Sequence, residues 1–262
     1  MSRCMLEPRV VFISYAHGTS EEDALVAALG DVEIKRCFPA RDRRGPMPAA
    51  RRPGEPMLSQ LAPRKADEGA TGADLLRRIQ AEVKAHPPRE FGLVLIVDDA
   101  DCRMCATEDE TFEARRRALH TELQAAVVEA LREAEAPEIP VCVILAREEI
   151  EAWLLADWAN TFEREYPSQH RAVQHALSKA LPGALQSPEA IGCPMKKDGQ
   201  GCTTKVSEAL QDVVRSVPPL VYSKATHGQA MLRRVNLHHA ASRCPTLRAD
   251  LAELRAALGG RG

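Results

Sequence analysis

At 262 residues, with 45% apolar and 27% charged side chains, the chain can bury a sizeable core of ordinary globular composition. A net charge of −2 and only 4% aromatic residues argue against an overall field for nucleic acid or membrane, and against broad base-stacking platforms. No stretch reaches the roughly 18 apolar residues of a membrane span, and residues 1–8 carry Arg3 and Glu7 without an apolar leader core, so a cytoplasmic protein whose eight cysteines are thiols is expected.

Residues 9–15 form a short β-branched apolar run, the pattern of a buried strand. His17-Gly18-Thr19-Ser20 reads as a turn capping a helix over 21–29, and a second strand is expected near 32–38. Residues 36–65 hold six Pro and eight Lys or Arg against two acids, which predicts a mobile basic loop, taken as 39–70. A helical pattern over 71–86 stops at Pro87-Pro88.

Residues 91–97 are the strongest strand pattern, apolar on both faces as a central parallel strand requires, and run straight into Asp98-Asp99-Ala100-Asp101. A long helix is expected over 110–134. A further apolar strand over 139–145 tolerates Pro140 at its start and leads into the acids Glu148, Glu149 and Glu151. Strand and helix alternate, so the expected fold is α/β, a parallel sheet flanked by helices. After 158 the pattern is helical only, over 160–180, 204–216, 227–242 and 246–258. The expected organisation is therefore an α/β core over 1–158 and a helical C-terminal section over 159–262.

Ligands of open parallel sheets sit at the carboxyl ends of the strands. Asp98, Asp99 and Asp101 follow one predicted strand; Glu149 and Glu151 follow another. If the strands are neighbours, these carboxylates converge, and their mutual repulsion favours a bound cation. Mg²⁺ or Mn²⁺ suits such hard oxygen ligands. The plainer explanation for the glutamates is that acids favour first helical turns.

Strand, Gly turn and acid, then a strand ending in Asp-x-Asp, then a strand ending in acids, resembles the Toprim layout of topoisomerases, primases and OLD-type nucleases. More narrowly, the run from Val143 through Arg147-Glu148-Glu149-Ile150-Glu151-Ala152-Trp153-Leu154-Leu155-Ala156-Asp157 is similar to a bacterial family of Toprim-related proteins of unknown function. Tyr222-Ser223-Lys224-Ala225-Thr226-His227 and Arg243-Cys244-Pro245 add to the likeness. The resemblance implies a Toprim-like core in which Asp99 and Asp101, with Asp98 as an alternative in register, and Glu149 and Glu151 hold a divalent cation. Toprim proteins carry Glu-Gly after the first strand; this chain has His17-Gly18, with Glu21 at the later acidic position. His17 can ligate or act as a base and suits Mn²⁺ better than Mg²⁺.

Two functions then compete. The first is metal-dependent nuclease chemistry on DNA or tRNA, in an effector of bacterial anti-phage defence with a separate ABC- or SMC-like ATPase. The second is a catalytically degenerate Toprim-like subunit that binds nucleic acid or that ATPase; a small-molecule phosphotransfer enzyme using the same acids is a third. Oligomerisation is compatible with each. Arg43, Arg44, Arg51 and Arg52 of the basic loop, with Lys224 and His227, are the candidate phosphate contacts. Cys102 and Cys105 could join Cys193 and Cys202 in a zinc site, although their spacing fits a zinc ribbon poorly. Trp153 and Trp158 read as core, and the adjacent His238 and His239 receive no role.

Overall fold

A computed structural model describes residues 10–15, 24, 28–29, 49–51, 93–100, 112–147, 149–191 and 205–257. Four strands form one sheet in the order β2-β1-β3-β4: β1 Val10–Tyr15, β2 Ala49–Arg51, β3 Leu93–Asp99 and β4 Val141–Ala146. The β1–β2 and β1–β3 pairs are parallel, with Val10 opposite Ala49 and Val11 to Tyr15 opposite Leu93 to Val97. Between β3 and β4, Val94 donates to Pro140 O at 3.0 Å and Ala100 to Ala146 O at 2.9 Å. The residue offset is the same in both bonds, as a parallel pair requires. Pro140 lacks a donor but needs only its carbonyl here, so it fits at the strand's entrance.

The fold is thus mixed α/β with a parallel sheet. All seven residues of β3 and all six of β4 are buried, which explains the apolar run of residues 93–97 and that of β4. β3 ends two residues later than the sequence suggests, because its ladder with β4 continues to Ala100. Asp98 and Asp99 therefore belong to the strand. β2 corrects the reading of 39–70 as loop throughout: three residues of it pair with β1. Ala24, Ala28 and Leu29 are buried and helical, within the expected first helix. The expected strand at 32–38 and helix at 71–86 lie outside the described residues.

Helix α1, Phe112–Glu133, buries Arg116, Leu123, Val127, Ala130 and Leu131, a stripe of helical period. Its end is marked by Glu135 in a left-handed conformation (φ 58°), with Ala136 N–H reaching back to Leu131 O at 2.9 Å. The remaining elements are short: α2 Glu151–Ala156, α3 Phe162–Glu165, α4 His170–Ala180, a 3₁₀ turn Pro188–Ala190, α5 Val206–Arg215, a π-helical turn Lys224–Gly228, α6 Gln229–Leu232, α7 Leu237–Ala240 and α8 Pro245–Ala257. The helical character expected after 158 is present, broken into more pieces than four.

The chain divides into two compact units that interleave along the sequence: residues 1–98, 118–144 and 250–262, and residues 99–117 and 145–249. The boundary expected at 158 falls inside the second unit. In the first unit, Gln124 donates to Val141 O and Cys142 Sγ lies 4.0 Å from Glu253 O. The second unit is organised around Trp153 and Phe162, both fully buried. Trp158 stacks on Phe162 with centroids 4.8 Å apart, and Tyr222 lies 6.1 Å from Phe162. The two tryptophans are core, as the sequence suggests.

Two buried acids tie the short helices of this unit together. Asp157, fully buried after α2, accepts from Asn236 N–H at 2.6 Å, from Asn160 Nδ2 at 3.0 and 3.1 Å, and from His239 Nδ1 at 2.6 Å. Asn236 in turn caps α7 through the N–H groups of His238 and His239. Glu189 accepts from Thr246 and Leu247 N–H in the first turn of α8. Burial pushes its carboxyl above the usual range, against the lowering effect of those hydrogen bonds. Among the described residues no helix is long and apolar enough to cross a membrane.

Cys142 and Cys244 are buried free thiols. Burial, with the charges of Glu253 and Asp250 adding to it, pushes Cys142 up to about 12; burial also raises Cys244. At pH 8 the thiolate fraction of Cys142 is then on the order of 10⁻⁴. A short iodoacetamide pulse followed by peptide mapping should leave both cysteines unlabelled in native protein and labelled in urea. Native labelling at the denatured rate would contradict this burial.

Candidate functional site

The parallel register places the carboxyl ends of β1, β3 and β4 along one edge of the sheet. β3 ends in Asp98-Asp99. Side chains alternate across a strand, so these two point to opposite faces. Both are fully buried, and it is Asp99 that meets the other predicted acids. Its Oδ1 accepts the N–H of Ile150 at 2.9 Å, which fixes the segment that follows β4.

Glu149 is held from the other side. Its Oε2 accepts the backbone N–H of Ser207 at 2.8 Å and its Oε1 the Ser207 hydroxyl at 2.8 Å. Ser207 lies in the first turn of α5, where backbone N–H groups have no partner inside the helix and the dipole favours an anion. Glu151 opens α2 and is buried. Glu149 and Glu151 are thus brought to the same place by separate devices.

That place is occupied by an amine. Lys224 Nζ lies 3.5 Å from Glu149 Oε1, 3.5 Å from Glu151 Oε1 and 3.8 Å from Asp99 Oδ2. By these separations alone, each carboxylate oxygen is within 8 Å of the others, the span that ligands of one metal or a metal pair must have. The three contacts are ion-pair distances, longer than a direct N–H···O hydrogen bond. The carboxylates are buried, whereas the lysine side chain is 26% exposed, so the cluster reaches the surface through Lys224.

Lys224 is delivered by the π-helical turn. Ser223 N–H donates to His227 Nδ1 at 2.9 Å, closing this turn on itself. The His227 ring packs 6.1 Å from Tyr166 and 6.2 Å from Tyr222. Gly228 follows; a Cβ there would come 3.1 Å from the Tyr222 hydroxyl, so the close approach favours glycine. The sequence reading made Lys224 and His227 phosphate contacts. In the structure Lys224 faces the acids, and His227 has one ring nitrogen engaged by its own turn.

Among the described residues no three His, Cys, Asp or Glu side chains are arranged as ligands of one ion. Three hard carboxylates in reach of one another are nevertheless the donor set that Mg²⁺ or Mn²⁺ takes. His17, Glu21, Asp101, Arg43, Arg44 and Arg52 lie outside the described residues, as do Cys102, Cys105, Cys193 and Cys202. So does the side chain of Arg51, whose backbone ends β2. Sequence reasoning missed Ser207 altogether. Its only local signal was a serine at the start of an apolar-periodic segment.

No curated protein and no solved structure matches the chain. One family model matches residues 53–255 and is described as a domain of unknown function (DUF4276). The match spans most of the chain and includes Asp99, Glu149, Glu151, Ser207 and Lys224. The chain belongs to the DUF4276 family of domains of unknown function.

Proposed function

We propose that the protein is a metal-dependent phosphodiester-cleaving enzyme with a Toprim-like core, acting on nucleic acid. The observation that carries this reading is the convergence of Asp99, Glu149 and Glu151 around one partly exposed amine at the carboxyl edge of a parallel sheet. The three acids would hold Mg²⁺ or Mn²⁺, which supplies a Lewis acid for a phosphoryl oxygen and a lowered pKa for an attacking water. Lys224 adds a fixed positive charge at the mouth of the site, where it can meet a phosphate. Asp98 is no ligand in this reading, because it points to the other face. Asp101 and Glu21 would complete the set by family resemblance, and His17, where the chain departs from the family's glutamate, would act as ligand or base. Arg43, Arg44, Arg51 and Arg52 would neutralise backbone phosphates outside it. The same resemblance supplies the setting: a cytoplasmic effector of anti-phage defence, working with a separate ATPase.

A second reading has its own support. Lys224 already places a positive charge among the three carboxylates, so their clustering does not by itself demand a metal. The fold would then be a degenerate Toprim-like subunit that binds nucleic acid or the ATPase.

Lys224→Met separates the two. Removing the amine leaves buried carboxylates without their counter-charge and should lower stability by about 3 kcal/mol. If the acids form a cation site, Mn²⁺ restores the melting temperature of Lys224→Met by several degrees, because binding to the native state alone stabilises it. A melting temperature indifferent to Mn²⁺ in both wild type and Lys224→Met would favour the ion-pair role alone.

Cleavage itself is tested on supercoiled plasmid and on tRNA, with Mn²⁺ or Mg²⁺. Asp99→Asn should reduce the metal-dependent rate by about 10² or more, since it weakens both the cation site and the bond to Ile150 N–H. Calorimetric titration of Mn²⁺ should show binding to wild type and tighter binding to His17→Glu, which adds an anionic ligand. Heatless titrations with both proteins would sink the enzymatic reading.

A further inference from the structure

The second unit contains another feature that the acidic cluster does not use. A cavity of about 520 Å³ is lined by Trp158, Gln174, Leu185, Gln186, His239 and Arg243. Its volume falls within the range of small-molecule sites, roughly 300–1,000 Å³. Among the described residues no carboxylate lines it; their charged and polar groups are a guanidinium, an imidazole and two primary amides.

The two basic groups are positioned, not loose. His239 and Arg243 stand four residues apart on one helical turn that runs past α7, so they project to the same side. The His239 Nδ1 is 2.6 Å from Asp157 Oδ1. A carboxylate only accepts, so Nδ1 carries a hydrogen and Nε2 is left on the opposite edge of the ring. Asp157 takes four contacts from three donors on its two oxygens and is fully buried, so its charge is spent on Asn160, Asn236 and His239 and does not line the cavity. Arg243 Nη1 donates to Leu185 O at 3.2 Å, which orients the guanidinium across the cavity's rim. That bond uses one of five N–H donors and neutralises no charge. A guanidinium and an imidazole edge held on one side, with no acid among the described lining residues, form a receptor for an anion in which Arg243 supplies the charge. The floor is apolar: Trp158 and Leu185 are both 8% exposed. Gln174 and Gln186 can each donate and accept, as the edge of a heterocycle requires.

We infer that this cavity binds a phosphomonoester carrying a planar heterocycle, with Arg243 and His239 on the phosphate and Trp158, Leu185 and the two glutamines around the base. A bare oxyanion would leave most of the volume and the apolar floor unused; a mononucleotide uses both. The same chemistry is offered by a free nucleoside monophosphate and by the 5′-phosphorylated end of a nucleic-acid strand. The site does not depend on the acidic cluster or on a metal.

The probe is adenosine 5′-monophosphate, titrated into the full chain and followed by calorimetry and by the His239 ring signal in NMR. Saturable binding that shifts the His239 signal is expected. Arg243→Gln should weaken it by roughly tenfold or more, as loss of a charge-assisted contact does. Arg215→Gln, an exposed arginine paired with Asp212 outside the cavity, should leave it unchanged. Adenosine should bind at least about tenfold more weakly than the monophosphate. Because His239→Gln disturbs Asp157, its melting temperature is recorded beside its affinity; Arg243→Gln carries the test if His239→Gln fails to fold. A 5′-phosphorylated oligonucleotide that competes with the monophosphate, where the 5′-hydroxyl oligonucleotide does not, assigns the site to strand ends; absence of competition assigns it to the free mononucleotide. The inference is overturned if the monophosphate shows no saturable binding at millimolar concentration, if adenosine binds as well, or if Arg243→Gln binds equally. Each arm is read without metal and again in Asp99→Asn, so failure here is separable from failure of the nuclease reading.

Discussion

The ammonium group of Lys224, set among three buried carboxylates, is the interaction on which the candidate site depends. Buried carboxylates repel one another and lose hydration, and at short range both costs are large. An opposite charge at 3.5–3.8 Å offsets them. Breaking such a cluster costs more than the cluster contributes, because the remaining charges stay buried. The segments that carry these groups are therefore coupled. The end of β3, the start of α2, the N-terminus of α5 and the π-helical turn cannot shift independently without exposing or stranding a charge. Short helices that would be marginal alone acquire a fixed arrangement in this way.

Each carboxylate is also held by a backbone donor or by its place on an element. Asp99 takes the Ile150 N–H, and Glu149 takes both the N–H and the hydroxyl of Ser207. Glu151 has α2 beneath it. The positions of the acids are thus set before any ligand arrives, as an electrostatic site requires. Lys224 differs. It is the only member of the cluster with appreciable exposure, and it sits on a long, flexible stem. A cation or a phosphate approaching this cluster must therefore deal with Lys224 first.

Much of the sheet was legible because its information is local. β1, β3 and β4 each carry a short, largely apolar run, and the full burial of β3 and β4 is what such a run signals in a parallel sheet. The gathering of Asp99 with Glu149 and Glu151 was legible through topology: in a parallel sheet, the residues after neighbouring strands share an edge. Three things were not. The strand at Ala49–Arg51 is only three residues in an Arg- and Pro-rich stretch, and pairs with β1 in spite of its composition. The division into units joins distant segments, so no shift in composition marks it. The partners Ser207 and Lys224 lie 58 and 75 residues beyond Glu149, and long-range pairings of this kind leave no periodic trace. The partner of His239 was hidden for the same reason: it is Asp157, 82 residues away.

These long-range partners bear on His17. The family match begins at residue 53, after β1 and His17, and contains every residue of the described charge cluster. The matched region thus covers Asp99, Glu149, Glu151 and Lys224 but not His17. In the proposed metal site, His17, standing where Toprim proteins carry a glutamate, would supply one negative charge fewer. A lysine among the acids removes another by pairing. Both changes lower the pull on a divalent cation and both lower the repulsion that the fold must bear. If the cluster holds a metal, it therefore does so with fewer net charges than a site built only of carboxylates, and selectivity shifts toward ions that accept nitrogen beside oxygen. In that proposed site the imidazole of His17 would favour Mn²⁺ over Mg²⁺, whereas the ammonium of Lys224, which has no lone pair to offer, would weaken the hold on either ion through its charge alone.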